Sequence, residues 1–385
     1  MVPPRIASLS TTRLDIPLRQ PITMSFGVVR LQNVVLVRLR DSDGVQGVGE
    51  ASVLGGPHWG EESAEGVQAV IETYIAPALA GTALDGIEAF AATLARLVRG
   101  NPAARGAVEM AALDLLGRRL GVPAVQLLGG PCRQVIPVAW TLSTGGTGSD
   151  IEEGERALAE RGHRRFKLKF GRDTAVADAA RAAAIIEVFR GRATVIGDVN
   201  QAWDEVTAAR LLPVLQEAGL EAIEQPLPAG DIAAIARLRA GLGMEIIADE
   251  AITGPAAAFR VAAGGGASVF ALKPNRDGGP TATRRVAAIA AAAGLGLYGG
   301  TMLETSIGTA ACAHVYAAVP ELRLGSELFG PLRLSEDVVT DPVRVRDGVL
   351  QVPDGPGLGV VLDEDRVAFL ARRHGGTGAR FGSAA

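Results

Sequence analysis

The chain carries three lysines, Lys167, Lys169 and Lys273, against 35 arginines. A GC-rich genome that writes Arg for Lys at surface positions explains the scarcity, but not the three that remain. Arginine is always protonated, whereas a lysine can give up its proton when its surroundings favour it. Positions that need a cation able to lose its proton resist replacement. The three lysines are therefore the first candidates for chemistry.

Each sits at the end of a short apolar run. Side chains alternate along a strand, so Lys167 and Lys169 share a face about 6.6 Å apart, with Leu168 opposite. Asp198 and Asn200 share a face in the same way. Other runs end at Glu224, Asp249, Lys273 and Glu327. Asp198, Glu224 and Asp249 are 26 and 25 residues apart, about one strand–helix unit each. Three neighbouring carboxylates at one level repel one another unless a hard divalent cation joins them, and Mg²⁺ or Mn²⁺ suits oxygen ligands. Such a cation polarises a substrate carboxylate, and the adjacent carbon can then lose or gain a proton. Lys169 is the candidate acid/base, and the neighbouring Lys167 ammonium eases loss of its proton. A purely salt-bridging role is the competing reading; arginine would serve that role as well.

The elements that must position these groups follow from the rhythm of the chain. Apolar runs recur at 135–140, Arg165–Lys169, Thr194–Asp198, 221–224, 245–249, 269–273, Gly296–Gly299 and 322–327. Most intervals hold an Ala/Leu-rich amphipathic stretch, such as 174–190 and 206–218. Eight alternations predict a parallel sheet closed into a (β/α)8-type barrel, with a doubly wound sheet as the alternative. Barrel enzymes place their sites at the C-terminal strand ends, where these polar residues fall. The first 130 residues read differently. Strands over 34–40 and 45–51 flank the turn Asp41-Ser42-Asp43-Gly44, and helices follow over 62–82, 84–99 and 102–119. That is an α+β pattern. Strand-like pieces around 343–352, within 331–373, are expected to pack back on this first domain. The Gly- and Ser-rich stretch 374–385 is expected to be a disordered tail.

Composition narrows the functional classes. With 48% hydrophobic and 21% charged residues, the chain can bury a large core. A net charge of −4 without a Lys/Arg run argues against nucleic acid or an anionic membrane as partner. Cys132 and Cys312 are too few for a disulfide framework, and residues 1–10 lack a signal-peptide core. A cytoplasmic location is expected. The longest uncharged stretch, 286–303, is divided by Gly294-Leu295-Gly296 and reads as a buried helix followed by a buried strand.

Lys-x-Lys followed by Asp198, Glu224, Asp249 and Lys273 resembles the muconate-lactonizing branch of the enolase superfamily. The likeness extends through Gly47-Val48-Gly49-Glu50, Ala139-Trp140-Thr141-Leu142, Asp198-Val199-Asn200-Gln201, Ile223-Glu224-Gln225-Pro226, Ala248-Asp249-Glu250, Gly299-Gly300-Thr301-Met302-Leu303-Glu304 and the stretch 325–331. The resemblance implies an N-terminal α+β capping domain (1–130) on a modified TIM barrel, (β/α)7β (131–330). It implies one Mn²⁺ or Mg²⁺ on Asp198, Glu224 and Asp249. It makes Lys169 the acid/base, Lys167 its helper, Lys273 the group across the substrate and Glu327 an auxiliary polar group. Cap loops at 22–27 and 54–59, including Leu54, His58 and Trp59, would contact a small dicarboxylate substrate, with Asn200 and Phe329. The implied activity is cycloisomerisation of cis,cis-muconate to muconolactone in catechol degradation. The implied assembly is a homo-oligomer, an octamer by family likeness. Alternatives on the same site are dipeptide epimerisation, N-acylamino acid racemisation, o-succinylbenzoate synthesis and chloromuconate cycloisomerisation. A catalytically dead barrel used for binding is a further alternative. Pro274-Asn275-Arg276 after Lys273 departs from the family pattern, which carries a lysine there.

Other signals do not carry function. Gly294-x-Gly296-x-x-Gly299 matches the dinucleotide fingerprint by letter, but it leads into a strand rather than out of one. Cys312-x-His314 lies in an Ala-rich helical stretch and reads as packing.

Overall fold

A computed structural model describes residues 4–25, 27–54, 56–373 and 381–382 of the chain. It opens on three antiparallel strands, β1 (Ile6–Met24), β2 (Gly27–Asp41) and β3 (Gln46–Leu54). The sequence reading found β2 and β3 but not β1. Pro17 and Pro21 interrupt the β1 pattern, and its register with β2 shifts between Pro17 and Ile22. Within the sheet β1 pairs with β2 alone, and an edge strand tolerates proline.

Helices Ala64–Val70 and Pro102–Leu120 cover this sheet, and Ile87–Leu97 packs on Pro102–Leu120. The first was expected to run over 62–82. Instead it passes through a π-turn at Ile71–Ile75 into Ala76–Leu79. Pro77 lacks an N–H, and the hydrogen-bond register slips beside it. β3 lies close against Pro102–Leu120. A Cβ at Gly47 would come within 2.1 Å of the Ala111 carbonyl oxygen, and one at Gly49 within 2.2 Å of that of Ala107. Only glycine permits that approach.

Seven parallel strands follow, each beside its chain neighbour: β5 (Trp140–Leu142), β6 (Arg165–Lys169), β7 (Thr194–Asp198), β8 (Ala222–Glu224), β9 (Glu245–Ala248), β10 (Val269–Leu272) and β11 (Gly296–Gly299). A helix separates each pair. After the seventh helix, Ser306–Ala318, the chain returns through Ser326, which bridges Gly299 on one side and Val138 on the other. This closes the barrel as (β/α)7β. Two expectations are corrected. The run at 135–140 is not the first barrel strand: β4 (Val135–Pro137) pairs antiparallel with β13 (Val349–Gln351), beside β12 (Val345–Arg346), and the barrel strand starts at Trp140. The run at 322–327 joins by single bridges rather than an extended ladder. Apolar runs look alike whether they face a barrel or a side sheet, so periodicity alone does not separate them.

The helix Glu364–Arg373 packs on β1. Its first residue Glu364 pairs with Arg38 at 2.7 Å. Within the stretch read as a disordered tail, β14 (Phe381–Gly382) pairs with β2 at Val28 and Val29. Residues 374–380 and 383–385 lie outside the described residues. No described helix is long and apolar enough to cross a membrane. The stretch 286–303 divides, as expected, into part of the helix Pro280–Ala292 and β11.

The barrel lumen is filled by Ile196, Ala222, Ile247, Val269, Ala271, Tyr298 and Leu324. This apolar layer forms a floor. Lys167 is level with Ile196, while Lys169, Asp198 and Glu224 stand level with one another, two residues further toward the C-terminal ends.

Candidate active site

Above that floor lies a cavity of about 30 Å³ lined by Lys167, Lys169 and Asp198, with Asn200, Lys273 and Glu327. The cap contributes Ile22, Met24, Leu54 and Trp59, and Phe329 completes the wall. Strand alternation thus brings both β6 lysines into one cavity, while Leu168 is fully buried on the other face. Trp59 lies over Lys273, with Nζ 4.6 Å from the ring centroid. His58, expected among the substrate loops, is exposed and does not line the cavity. The 3-10 turn Gly56–His58 directs its side chain away while Trp59 turns in. Gly55 and Phe26 of the two cap loops lie outside the described residues.

The cations and carboxylates interlock. Lys167, 1% exposed, reaches Asp198 at 3.1 Å, Glu224 at 2.9 Å and Glu327 at 2.6 Å. Lys169 reaches Asp198 Oδ2 at 2.6 Å and Asn200 Oδ1 at 3.1 Å. Lys273 reaches Asp249 Oδ2 at 2.6 Å. Thr141 Oγ1 donates to Glu327 at 2.8 Å, and Asn200 Nδ2 donates to Glu250 at 3.0 Å. Arg276 grips Asp249 through its side chain and its carbonyl. The Pro274-Asn275-Arg276 departure therefore puts a second cation on Asp249. Sequence reasoning missed Thr141, Arg276 and Glu250 as members of this network. The acidic pair Asp249-Glu250 was a usable signal for the last; nothing local marked the other two.

The electrostatics follow from burial and crowding. Burial pushes the Asp198 carboxyl up, but Lys167 and Lys169 outweigh it and hold it well below the usual range. Burial raises Glu224 well above its ordinary value, and Asp198, Asp249 and Glu327 add to this against Lys167. Burial, with Asp249 and Asp198 beside it, raises Glu250 to about 7. Burial opposes charge on Lys167, yet Asp198, Glu224 and Glu327 hold its ammonium well above the ordinary lysine range. Lys167 is thus a fixed cation.

Among the described residues no three acidic, histidine or cysteine side chains converge at ligand distance; lysines occupy the carboxylates. The donor set still fits a hard divalent cation. Asp198, Glu224 and Asp249 end three adjacent strands, and each is at most 1% exposed. Among the described residues Glu224 Oε1 has no hydrogen-bond partner, and Oε2 meets Lys167 alone. Crowded, oxygen-only, under-satisfied carboxylates are the surroundings such an ion relieves.

Two family models match the chain. The N-terminal domain of mandelate racemase / muconate lactonizing enzyme matches residues 7–129, and the enolase C-terminal domain-like model matches 150–366. The chain belongs to this family, within the enolase superfamily. Muconate cycloisomerase 1 of Pseudomonas putida is 46% identical over 93% of this chain and 96% of its own length. A chloromuconate cycloisomerase of Delftia acidovorans is 41% identical over 96% and 99%. The solved muconate lactonizing enzyme of Pseudomonas fluorescens, in complex with muconolactone, has a TM-score of 0.94 at 44% identity, covering 95% of this chain and 99% of that one. The capped (β/α)7β fold is therefore the family fold, and the chain is an isomerase of the cycloisomerase class. The family implies a divalent metal ion and a small-molecule substrate.

Proposed function

We propose that this enzyme is a muconate cycloisomerase, converting cis,cis-muconate to muconolactone. The observation that carries this reading is the placement of Lys169 and Lys273. β6 and β10 are the second and sixth of eight barrel positions, half a circle apart, and both lysines line one cavity. A planar dicarboxylate between them meets an ammonium on each face.

Asp198, Glu224 and Asp249 would hold one Mn²⁺ or Mg²⁺. When bound, the ion supplies Lewis-acid stabilisation of negative charge on a substrate carboxylate. The chain's own residues do the rest. The substrate's other carboxylate oxygen adds to the diene, forming a C–O bond while the π electrons shift toward the stabilised carboxylate. Lys169 delivers its proton to the carbon beside that carboxylate, and takes another from solvent. Lys273, held at Asp249, stabilises charge from the opposite face. Lys167 stays protonated and fixes Asp198, Glu224 and Glu327. Leu54, Trp59 and Phe329 exclude water from the cavity walls.

Dipeptide epimerisation is disfavoured by the barrel's closing segment, Leu324-Gly325-Ser326-Glu327. Its one carboxylate, Glu327, is taken by Lys167 and Thr141. A substrate ammonium there would be buried without a partner. The test is a substrate panel with Mn²⁺-supplemented enzyme. Muconate should be consumed with kcat/KM of at least about 10⁴ M⁻¹s⁻¹, seen as loss of diene absorbance. In D₂O one deuterium should enter the product beside the carboxylate. Inert muconate, with α-proton exchange in a dipeptide or N-succinyl amino acid, would overturn the reading. Faster turnover of chloromuconates than of muconate would move it to the chlorinated branch.

A further inference from the structure

A second cavity, of about 450 Å³, shares no lining residue with the catalytic one. Its walls include Arg19, Arg156, Arg161, Arg333, Trp140 and Glu153. Four guanidinium groups thus face one carboxylate. Glu153 is already engaged, by Arg156 at 2.8 Å, Arg161 at 3.5 Å and Trp140 Nε1 at 2.8 Å.

Arg19 is exposed to solvent, and Arg333 is the buried group left over. It is 6% exposed, and its Nε has no hydrogen-bond partner among the described residues. Its Nη2 donates to the Thr141 carbonyl, and its guanidinium lies 4.1 Å from the Trp140 ring centroid and 5.7 Å from that of Phe329. It forms no ion pair among the described residues. A guanidinium keeps its charge in a protein, so a buried one needs a counter-charge. Aromatic faces supply part of that, and a carbonyl dipole a little more. Burial pulls Arg333 down to about 10, which reflects the same deficit. Arg161 stands 4.6 Å from the Trp140 ring centroid, so two forks meet on one indole. Arginine forks match the planar edge of a carboxylate or a phosphate face.

We propose that this cavity is a binding site for a small oxyanion, a carboxylate or inorganic phosphate, held by Arg333 and Arg161 beside Trp140. A small ligand fits better than an acidic surface, because the cation that needs compensation lies below the surface. The site is independent of the muconate reading. It adjoins the catalytic cavity through Phe329, which packs on Trp140 at 5.7 Å between centroids, and through Thr141, whose carbonyl accepts from Arg333 and whose hydroxyl donates to Glu327.

The test is calorimetric titration of the full chain at fixed ionic strength, with sodium phosphate and separately with succinate. Three variants accompany it. Arg333→Leu removes the buried cation. Arg161→Ala, at a side chain 40% exposed, keeps the test alive where Arg333→Leu does not fold. Lys169→Ala weakens anion binding in the catalytic cavity. The expected result is saturable binding of at least one anion, weakened about tenfold or more in the arginine variants and kept in Lys169→Ala. The tighter of the two anions identifies the source. The proposal is overturned by no saturable binding, by unchanged affinity in Arg161→Ala, or by loss in Lys169→Ala. Self-association that depends on Arg333 and excludes both anions would also overturn it, and would give the site to a carboxylate of a second copy.

Discussion

Lys167 and Lys169 converge on one oxygen, Asp198 Oδ2, at 3.1 and 2.6 Å. Their surroundings divide their tasks. Lys167 is 1% exposed and meets two further carboxylates, whereas Lys169 is 12% exposed and has Asp198 as its one ion-pair partner among the described residues. The first is a buried structural cation, and the second is the lysine to which the proposed mechanism gives the proton transfer.

The two lysines should therefore respond differently to removal. Lys167→Met leaves Asp198, Glu224 and Glu327 without their shared cation and should destabilise the fold by about 3–5 kcal/mol. Lys169→Met should cost about 1 kcal/mol or less. Urea unfolding of both variants checks this; equal losses would contradict the division.

Lys169→Arg keeps the charge but not the ability to shuttle a proton near neutral pH. Turnover should fall at least about 10²-fold, with the fold intact by circular dichroism. Near-normal turnover would favour the salt-bridging role instead.

Metal removal should abolish activity, and Mn²⁺ or Mg²⁺ should restore it. Asp249→Asn should weaken Mn²⁺ binding, followed by titration calorimetry, by at least about tenfold. Full activity in chelator-treated, metal-free enzyme would remove the assignment of the three carboxylates.

Glu109, on the cap helix Pro102–Leu120, is 1% exposed and accepts from the Thr281 N–H of the barrel at 2.6 Å. Burial raises it to about 7. The folded state then holds its proton more tightly than the unfolded state. Its contribution to stability is fully present below about pH 4.5 and is lost as pH rises through about 7. Glu109→Gln should be more stable than the parent at pH 8, by about 1–3 kcal/mol, and alike at pH 4. A parent-like pH profile in Glu109→Gln would contradict this.

Much of the site was legible in the chain itself. A lysine-poor sequence exposes the few lysines that chemistry retains, and period-two alternation on β6 places Lys167 and Lys169 on one face. One strand–helix unit between carboxylates puts Asp198, Glu224 and Asp249 on adjacent strand ends. These are local and periodic properties, and a sequence carries them directly. The tertiary structure decided the rest, because it depends on which distant segments meet. β1 needs β2 to be a strand despite its prolines. Val135–Pro137 leaves the barrel because β13, over 200 residues later, pairs with it. His58 turns out and Trp59 in because of a single turn. Arg276 reaches Asp249 once β9 and β10 pair, and Thr141 reaches Glu327 only once the barrel closes.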